Sequence, residues 1–258
     1  MTDFKILGSL EVIKGDRDCT PSAPKLRELL ALLLLQSNRV IPTETLATEL
    51  WRGEMPRSAQ ATLQTYIYQL RKILCSERGG ENRDILMTRP PGYVINTTCD
   101  QLDATRFDHL VRSGRAALDD DDPATASTML HSGLSLWRGA ALADVEPGPR
   151  LAAHIAWLEE TRLTALELRI QADFRLGRYR ELVGELRALT ALHPLNEWLH
   201  RQLMIALHAT GRRTDALAVY RDVRRILREE VGLEPSHQLQ HAQQAILADA
   251  PLRELASY

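Results

Sequence analysis

Cysteine is scarce and unpaired in this sequence. Cys19, Cys75 and Cys99 form an odd set without a CxxC or any zinc-ligand spacing, which excludes a disulfide framework and predicts small packed thiols in a reducing compartment. Long apolar runs are missing as well. The longest, Leu29 to Leu35, falls far short of the roughly 20 residues that cross a bilayer. The opening MTDFKILGSL has no signal-peptide core. The expected setting is therefore the cytoplasm, with no membrane partner. Lysine supplies only four of the 32 cationic residues, the skew expected of a GC-rich genome.

Catalytic signatures are the next absence. No P-loop, GxGxxG, GxSxG or HExxH occurs, so nothing points to an enzyme, and neither a cofactor nor a metal is expected. The nearest lead is HQLQH, with His237 and His241 four apart on a predicted helix. No third ligand or general base accompanies them, and the stretch reads as a solvated face. The aspartate run Asp119 to Asp122 could suggest a cation site, but Asp122-Pro123 reads better as a helix cap followed by proline in the first turn. Trp137, Trp157 and Trp198 fall on helical segments and are expected to pack against neighbouring helices.

What is present is 258 residues, 44% hydrophobic and 26% charged, enough for one large or two ordinary globular domains. The net charge of -2 conceals a basic stretch from Pro56 to Tyr93, with six basic residues to three acidic, where an anionic partner would be met. FKILGSLEVIKGD alternates Phe4, Ile6, Leu10 and Val12 against polar neighbours and then turns at Gly15-Asp16, which predicts a short antiparallel sheet. A helix follows, capped at Ser22 with Pro24 in its first turn and ending at Ser37-Asn38. A second opens at Thr43 as N-cap, with Glu44 in its first turn.

The third helix, ATLQTYIYQLRKIL, is capped at Ser58. It sets Leu63, Ile67, Leu70 and Leu74 on one face and Thr62, Gln64, Thr65, Tyr68, Gln69, Arg71 and Lys72 on the other. After a Gly-rich break, SERGGENRD, two short strands surround Pro90-Pro91-Gly92. Strand, three helices and a terminal hairpin within about 95 residues form the layout of a winged helix-turn-helix, whose third helix lies in the major groove and whose wing reaches the backbone or minor groove. On this reading Thr and Gln contact base edges or phosphates, Arg71 and Lys72 neutralise phosphates, and Arg89 sits at the wing tip.

From Asp103 the chain reads as all-helical: a helix pair around Asp119 to Pro123, a loop, and a long helix from about Leu151 to Leu176. Gly177-Arg178 returns as Gly211-Arg212, 34 residues later, the period of tetratricopeptide repeats. The expected fold is mainly α, a winged helix-turn-helix over 1–98 followed by a TPR-like helical domain over 103–250.

Across nearly its whole length the sequence resembles the SARP family, the antibiotic regulatory proteins of actinobacteria. ILGSLEV, PKLRELLALLLLQSNRV, LATELW, TLQTYIYQLRKIL and TRPPGY resemble the OmpR-type winged helix. LDATRFDHL, GLSLWRG and GRRTDALAVYRDVRRILREEVGLEPS resemble the bacterial transcriptional activation domain.

The resemblance implies a transcriptional activator that binds promoter direct repeats in double-stranded DNA, two or more copies side by side. It further implies recruitment of RNA polymerase holoenzyme through its sigma factor. Family recognition-helix contacts fall on Thr62, Gln64, Thr65, Tyr68, Gln69 and Arg71, and wing contacts on Arg89 and Tyr93; Ser58 and Lys72 complete the candidate DNA-binding set. The chain departs from the family at Tyr68 and Gln69, where relatives commonly carry a small residue and then Arg. It looks like the short, two-domain form of the family. The competing reading is a TPR-type sensor or adaptor whose winged domain contacts protein; the carboxylate-poor third helix argues against it.

Overall fold

The computed structural model describes residues 2–74 and 85–252. Cys75 and the Gly-rich break expected after it, through Asp84, lie outside the described residues. The chain divides into two compact units, Met1–Arg169 and Ile170–Tyr258. Among the described residues no helix is long and apolar enough to cross a membrane.

The first unit opens with β1 (Thr2–Lys5), β2 (Glu11–Lys14) and β3 (Arg17–Asp18), an antiparallel sheet in that order. The two-residue period buries Phe4, Ile6, Leu10 and Val12, and the Gly15-Asp16 turn joins β2 to β3. Helix α1 (Pro24–Leu35) has Pro24 in its first turn, but its N-cap is Ala23 without a side-chain bond, so Ser22 does not cap it. Proline pre-sets the helical φ and lacks one of the amide donors that a cap would satisfy. Leu29 through Leu34 are all buried, which is why this stretch reads as a continuous apolar run rather than a stripe.

Helix α2 (Thr43–Trp51) starts one residue earlier than the sequence suggests, with Pro42 at the N-cap. The Thr43 hydroxyl and amide both donate to the Pro91 carbonyl, at 3.1 and 3.2 Å. That threonine therefore anchors the wing turn instead of capping its own helix. Helix α3 (Ala59–Leu74) precedes the wing, which consists of β5 (Leu86–Arg89) and β6 (Gly92–Ile95) around Pro90-Pro91, a cis peptide. A further two-residue strand, β4 (Ile41–Pro42), pairs with β6 to give the order β4-β6-β5. Gly92 is obligatory there: any Cβ would overlap the Ile41 carbonyl.

Helices α4 (Asp103–Asp119) and α5 (Pro123–Leu134) form the expected pair. Asp122 caps α5, accepting from the Thr125 amide at 3.0 Å, and that bond holds its carboxyl below the usual range. Trp137 meets Phe107 edge to face at 5.4 Å and lies under the Arg162 guanidinium at 4.6 Å. Trp157, on α6 (Pro149–Arg175), is 56% exposed instead of packed; at that position the helix turns its side chain to solvent.

Residues after 102 also complete the N-terminal sheet. The Asp103 carboxylate accepts from the Ile6 amide at 2.8 Å and the Leu7 amide at 3.0 Å, and Asp144 accepts from the Leu10 amide at 2.8 Å. Arg138 and Leu142 donate their amides to the Leu7 and Ile6 carbonyls. Burial pushes the Asp103 carboxyl above its ordinary range, against the Ile6 and Leu7 amides and Arg138, which favour its charged form.

In the second unit α7 (Tyr179–Leu192), α8 (Glu197–Ala209), α9 (Arg213–Glu230) and α10 (His237–Leu247) follow the end of α6. The sequence repeat returns as a repeated turn. Gly177 and Gly211 adopt φ of 73° and 78°. The amides of Gly177 and Arg178 donate to the carbonyls of Phe174 and Asp173, as those of Gly211 and Arg212 do to His208 and Leu207. Each partner is displaced by the same 34 residues. Glycine takes the left-handed conformation with no Cβ penalty. Helix α8 lies at the centre, buried from Leu199 to Leu207. His237 and His241 are both exposed on α10.

Candidate nucleic-acid interface

Helix α3 has the amphipathic build that its spacing predicts. Ala59, Leu63, Ile67, Leu70 and Leu74 are buried, and each large side chain so placed contributes about 1.5–3 kcal/mol to seating the helix. The outward face contains no carboxylate anywhere from Ala59 to Leu74. Gln64, Thr65, Tyr68, Gln69 and Lys72 are exposed, Tyr68 by 68%, and Thr62 is half-buried. Ser58 stands immediately before the helix, its carbonyl accepting from the Thr62 amide at 2.9 Å. The Thr65 hydroxyl donates back to the Ala61 carbonyl at 3.0 Å, leaving its oxygen lone pairs and methyl outward.

Arg71 is placed differently from its neighbours. Half-buried, it donates from Nε to the Leu86 carbonyl at 3.0 Å and from a terminal nitrogen to the Thr88 hydroxyl at 2.8 Å. It joins α3 to β5, so its charge acts from a fixed position where a free surface guanidinium was expected.

At the wing, Arg89 is exposed and pairs with Gly92 across the turn, whereas Tyr93, opposite Thr88 and Ile41, is only 8% exposed. The Tyr93 ring is thus largely core, because all four residues of β6 are buried. Alternation would have put that side chain outside; the central place of β6 between β4 and β5 puts it inside. One cation escaped the sequence reading: Arg57, exposed in the turn before Ser58 and without a carboxylate partner among the described residues. The only sequence signal for it was membership of the basic stretch.

The turn between α2 and α3 is held from behind. Arg52, in a left-handed conformation at the end of α2, pairs with Glu146 at 2.6 Å, and that bond holds the Glu146 carboxyl below its usual range. Glu49, 2% exposed, accepts from the amides of Leu151 at 2.8 Å and Arg150 at 3.1 Å. It thereby caps the first turn of α6 from another element. The result is a rigid cassette presenting hydrogen-bonding groups along α3 and cations at Arg57, Lys72 and Arg89.

Comparison with known proteins agrees with this arrangement. Residues 18–95 match the family "transcriptional regulatory protein, C terminal", and residues 102–247 match the "bacterial transcriptional activator domain". The regulatory protein DnrI of Streptomyces peucetius is 42% identical over 252 residues, covering 96% of this chain and 93% of that protein. The transcriptional regulator RedD of Streptomyces coelicolor is 36% identical, covering 99% and 73%. The chain spans only 24% of the regulatory protein AfsR of Streptomyces griseus, at 39% identity. A solved structure of Mycobacterium tuberculosis EmbR, in complex with a low affinity phosphopeptide, superposes with a TM-score of 0.92 at 32% identity, covering 99% of this chain and 67% of that one. With a winged helix-turn-helix and an activator domain each matched in place, the chain belongs to the SARP family of DNA-binding transcriptional activators.

Proposed function

We propose that the protein activates a secondary-metabolite (antibiotic) gene cluster by binding direct repeats at its promoter, copies side by side, and recruiting RNA polymerase holoenzyme through its sigma factor. It works in the cytoplasm, on the nucleoid. Residues 1–98 supply DNA contact and residues 103–250 the activating contacts. The observation that carries this reading is the carboxylate-free outward face of α3, flanked by Arg57 and Arg89.

Ser58, Thr62, Gln64, Thr65, Tyr68, Gln69 and Lys72 are the candidate groove contacts, and Arg89 is the wing contact. Arg71 supports the wing, and Tyr93 contributes its backbone and the edge of its ring. A handful of phosphate contacts per copy leaves one copy weakly bound and salt-sensitive. Adjacent repeats raise the effective concentration of the second copy and add avidity.

The test is selection of fragments of the source genome by purified full-length protein at about 0.15 M salt. Enrichment of tandem direct repeats upstream of a biosynthetic cluster is the expected result. Recovery of fragments without a shared repeat, by folded protein, would refute the proposal.

A further inference from the structure

We infer which surfaces meet when copies sit side by side on direct repeats: an acidic turn on the first unit of one copy enters an arginine-lined groove on the second unit of the next. The contact rests on the side-by-side reading proposed above. Copies on direct repeats share one orientation, so their contact is head to tail and pairs two different surfaces of the same chain. Each surface must complement the other.

The groove lies between α7 and the turn that joins α8 to α9. Arg180, Val183, Gly184 and Arg187 follow one α7 stripe at three- and four-residue spacing, and Thr210 and Arg212 line the other side. The concave space measures about 500 Å³, and no carboxylate lines it. Gly184 leaves its middle open, since a Cβ there would meet nothing within 4 Å. Arg180, Arg187 and Arg212 are all exposed. Among the described residues their acidic partner is Asp215, which pairs with Arg212 at 2.6 Å and with Arg187 at 4.0 Å. Three guanidiniums against one carboxylate leave the groove positively charged. Arg180 and Arg187 stand about 10 Å apart along the helix, so a partner that brings adjacent carboxylates matches the groove better than a single anion.

The chain carries such a partner. Asp119, Asp120, Asp121 and Asp122 are all exposed at the turn between α4 and α5. The cap on α5 uses Asp122. A cap needs one aspartate, and four adjacent carboxylates repel one another, a cost that an opposed cationic groove removes. Neither surface includes a candidate DNA contact. Exposed ion pairs are individually weak. DNA holds neighbours at high effective concentration, however, so a weak contact suffices to make binding cooperative.

The test uses full-length protein and DNA carrying one or two copies of the selected repeat, with cooperativity read as the ratio of two-repeat to one-repeat affinity. D119R/D120R and R180E/R187E should each lower that ratio about tenfold, the worth of two or three exposed ion pairs. The chain carrying all four substitutions should regain it. Arginine at the end of α4 and glutamate in the first turn of α7 suit the helix ends on which they fall, and thermal unfolding checks that both folds are kept. D120N and R180Q give the same comparison with a smaller change.

Cooperativity unchanged in either reversed variant, or not regained in the fourfold variant, overturns the contact. Loss of one-repeat affinity in R180E/R187E with cooperativity kept also overturns it, in favour of a DNA contact by the groove. If no tandem repeat is bound, the side-by-side reading fails instead, and sedimentation without DNA at low ionic strength decides the contact. D119R/D120R mixed with R180E/R187E should then associate where neither does alone, and a mixture that stays monomeric overturns it.

Discussion

The Thr88 hydroxyl accepts a hydrogen bond from the Arg71 guanidinium at 2.8 Å, and the same guanidinium reaches the Leu86 carbonyl, so one side chain of α3 fixes the first strand of the wing. Helix and wing therefore form one preset surface. R71A should loosen the wing, lowering stability by about 1–3 kcal/mol for hydrogen bonds from a charged donor. DNA affinity should fall with it. Chemical unfolding of R71A, T88V and the double variant measures the coupling. Strictly additive losses would show that the Arg71–Thr88 bond does no structural work.

Arg89 and Gln64 are expected to fail in different ways. R89A removes an exposed cation at the wing, so binding should weaken on most sequences about equally, by about 1 kcal/mol, with a flatter salt dependence. Q64A removes an amide from the exposed face of α3 and should change which bases are preferred. Binding to a panel of operator variants at several salt concentrations separates them. A uniform loss in both would remove base reading from Gln64.

Glu49 joins the end of α2 to the start of α6. E49A leaves the buried Leu151 amide and the part-buried Arg150 amide without their acceptor, a change expected to lower stability by about 1–3 kcal/mol. The close packing is corroborated by Gly148, where a Cβ would come within 2.6 Å of the Glu49 carboxylate. G148A should therefore destabilise too. Urea midpoints test both; a G148A protein as stable as wild type would mean that the cap has room to shift.

Glu28 gives a pH prediction of definite sign. Burial is the chief cause that raises its pKa, with Glu49 adding to it, while its bond from Lys25 at 2.7 Å and the charge of Arg52 oppose the rise. Between the ordinary carboxylate pKa and the raised one, the folded state holds more protons than the unfolded. Its contribution to stability therefore falls as pH rises through that window. E28Q does not titrate, so the stability of E28Q relative to wild type should improve as pH rises above the ordinary carboxylate range. Parallel denaturation curves across that range give the slope, and a constant difference would contradict the prediction.

Much of this molecule is legible in its sequence because most of its elements are amphipathic. The α3 stripe, the wing turn, the Asp122 cap and the 34-residue recurrence each leave a local or periodic mark. What stayed hidden is what depends on distant partners. Ile41–Pro42 is too short to show a period, and only pairing with β6 makes it a strand. That same pairing buries Tyr93. Thr43 looks like a cap until the Pro91 carbonyl is beside it. Arg71 looks like a free surface cation until β5 is in place. In each case the residue type was read correctly, and a partner distant in sequence decided its role.

The carboxylates of Asp103 and Asp144 bear on how such proteins can be recombined. Ile6, Leu7 and Leu10 have their amides satisfied by residues 97, 96 and 134 positions away. A chimera cut near residue 100 would strand these donors unless the incoming segment supplied both acids in register. A graft made after Arg169 keeps every one of these bonds in the donor piece. Exchange of DNA specificity between relatives should therefore succeed with the larger fragment, because the reading head travels intact only with the part of the activator that closes its sheet.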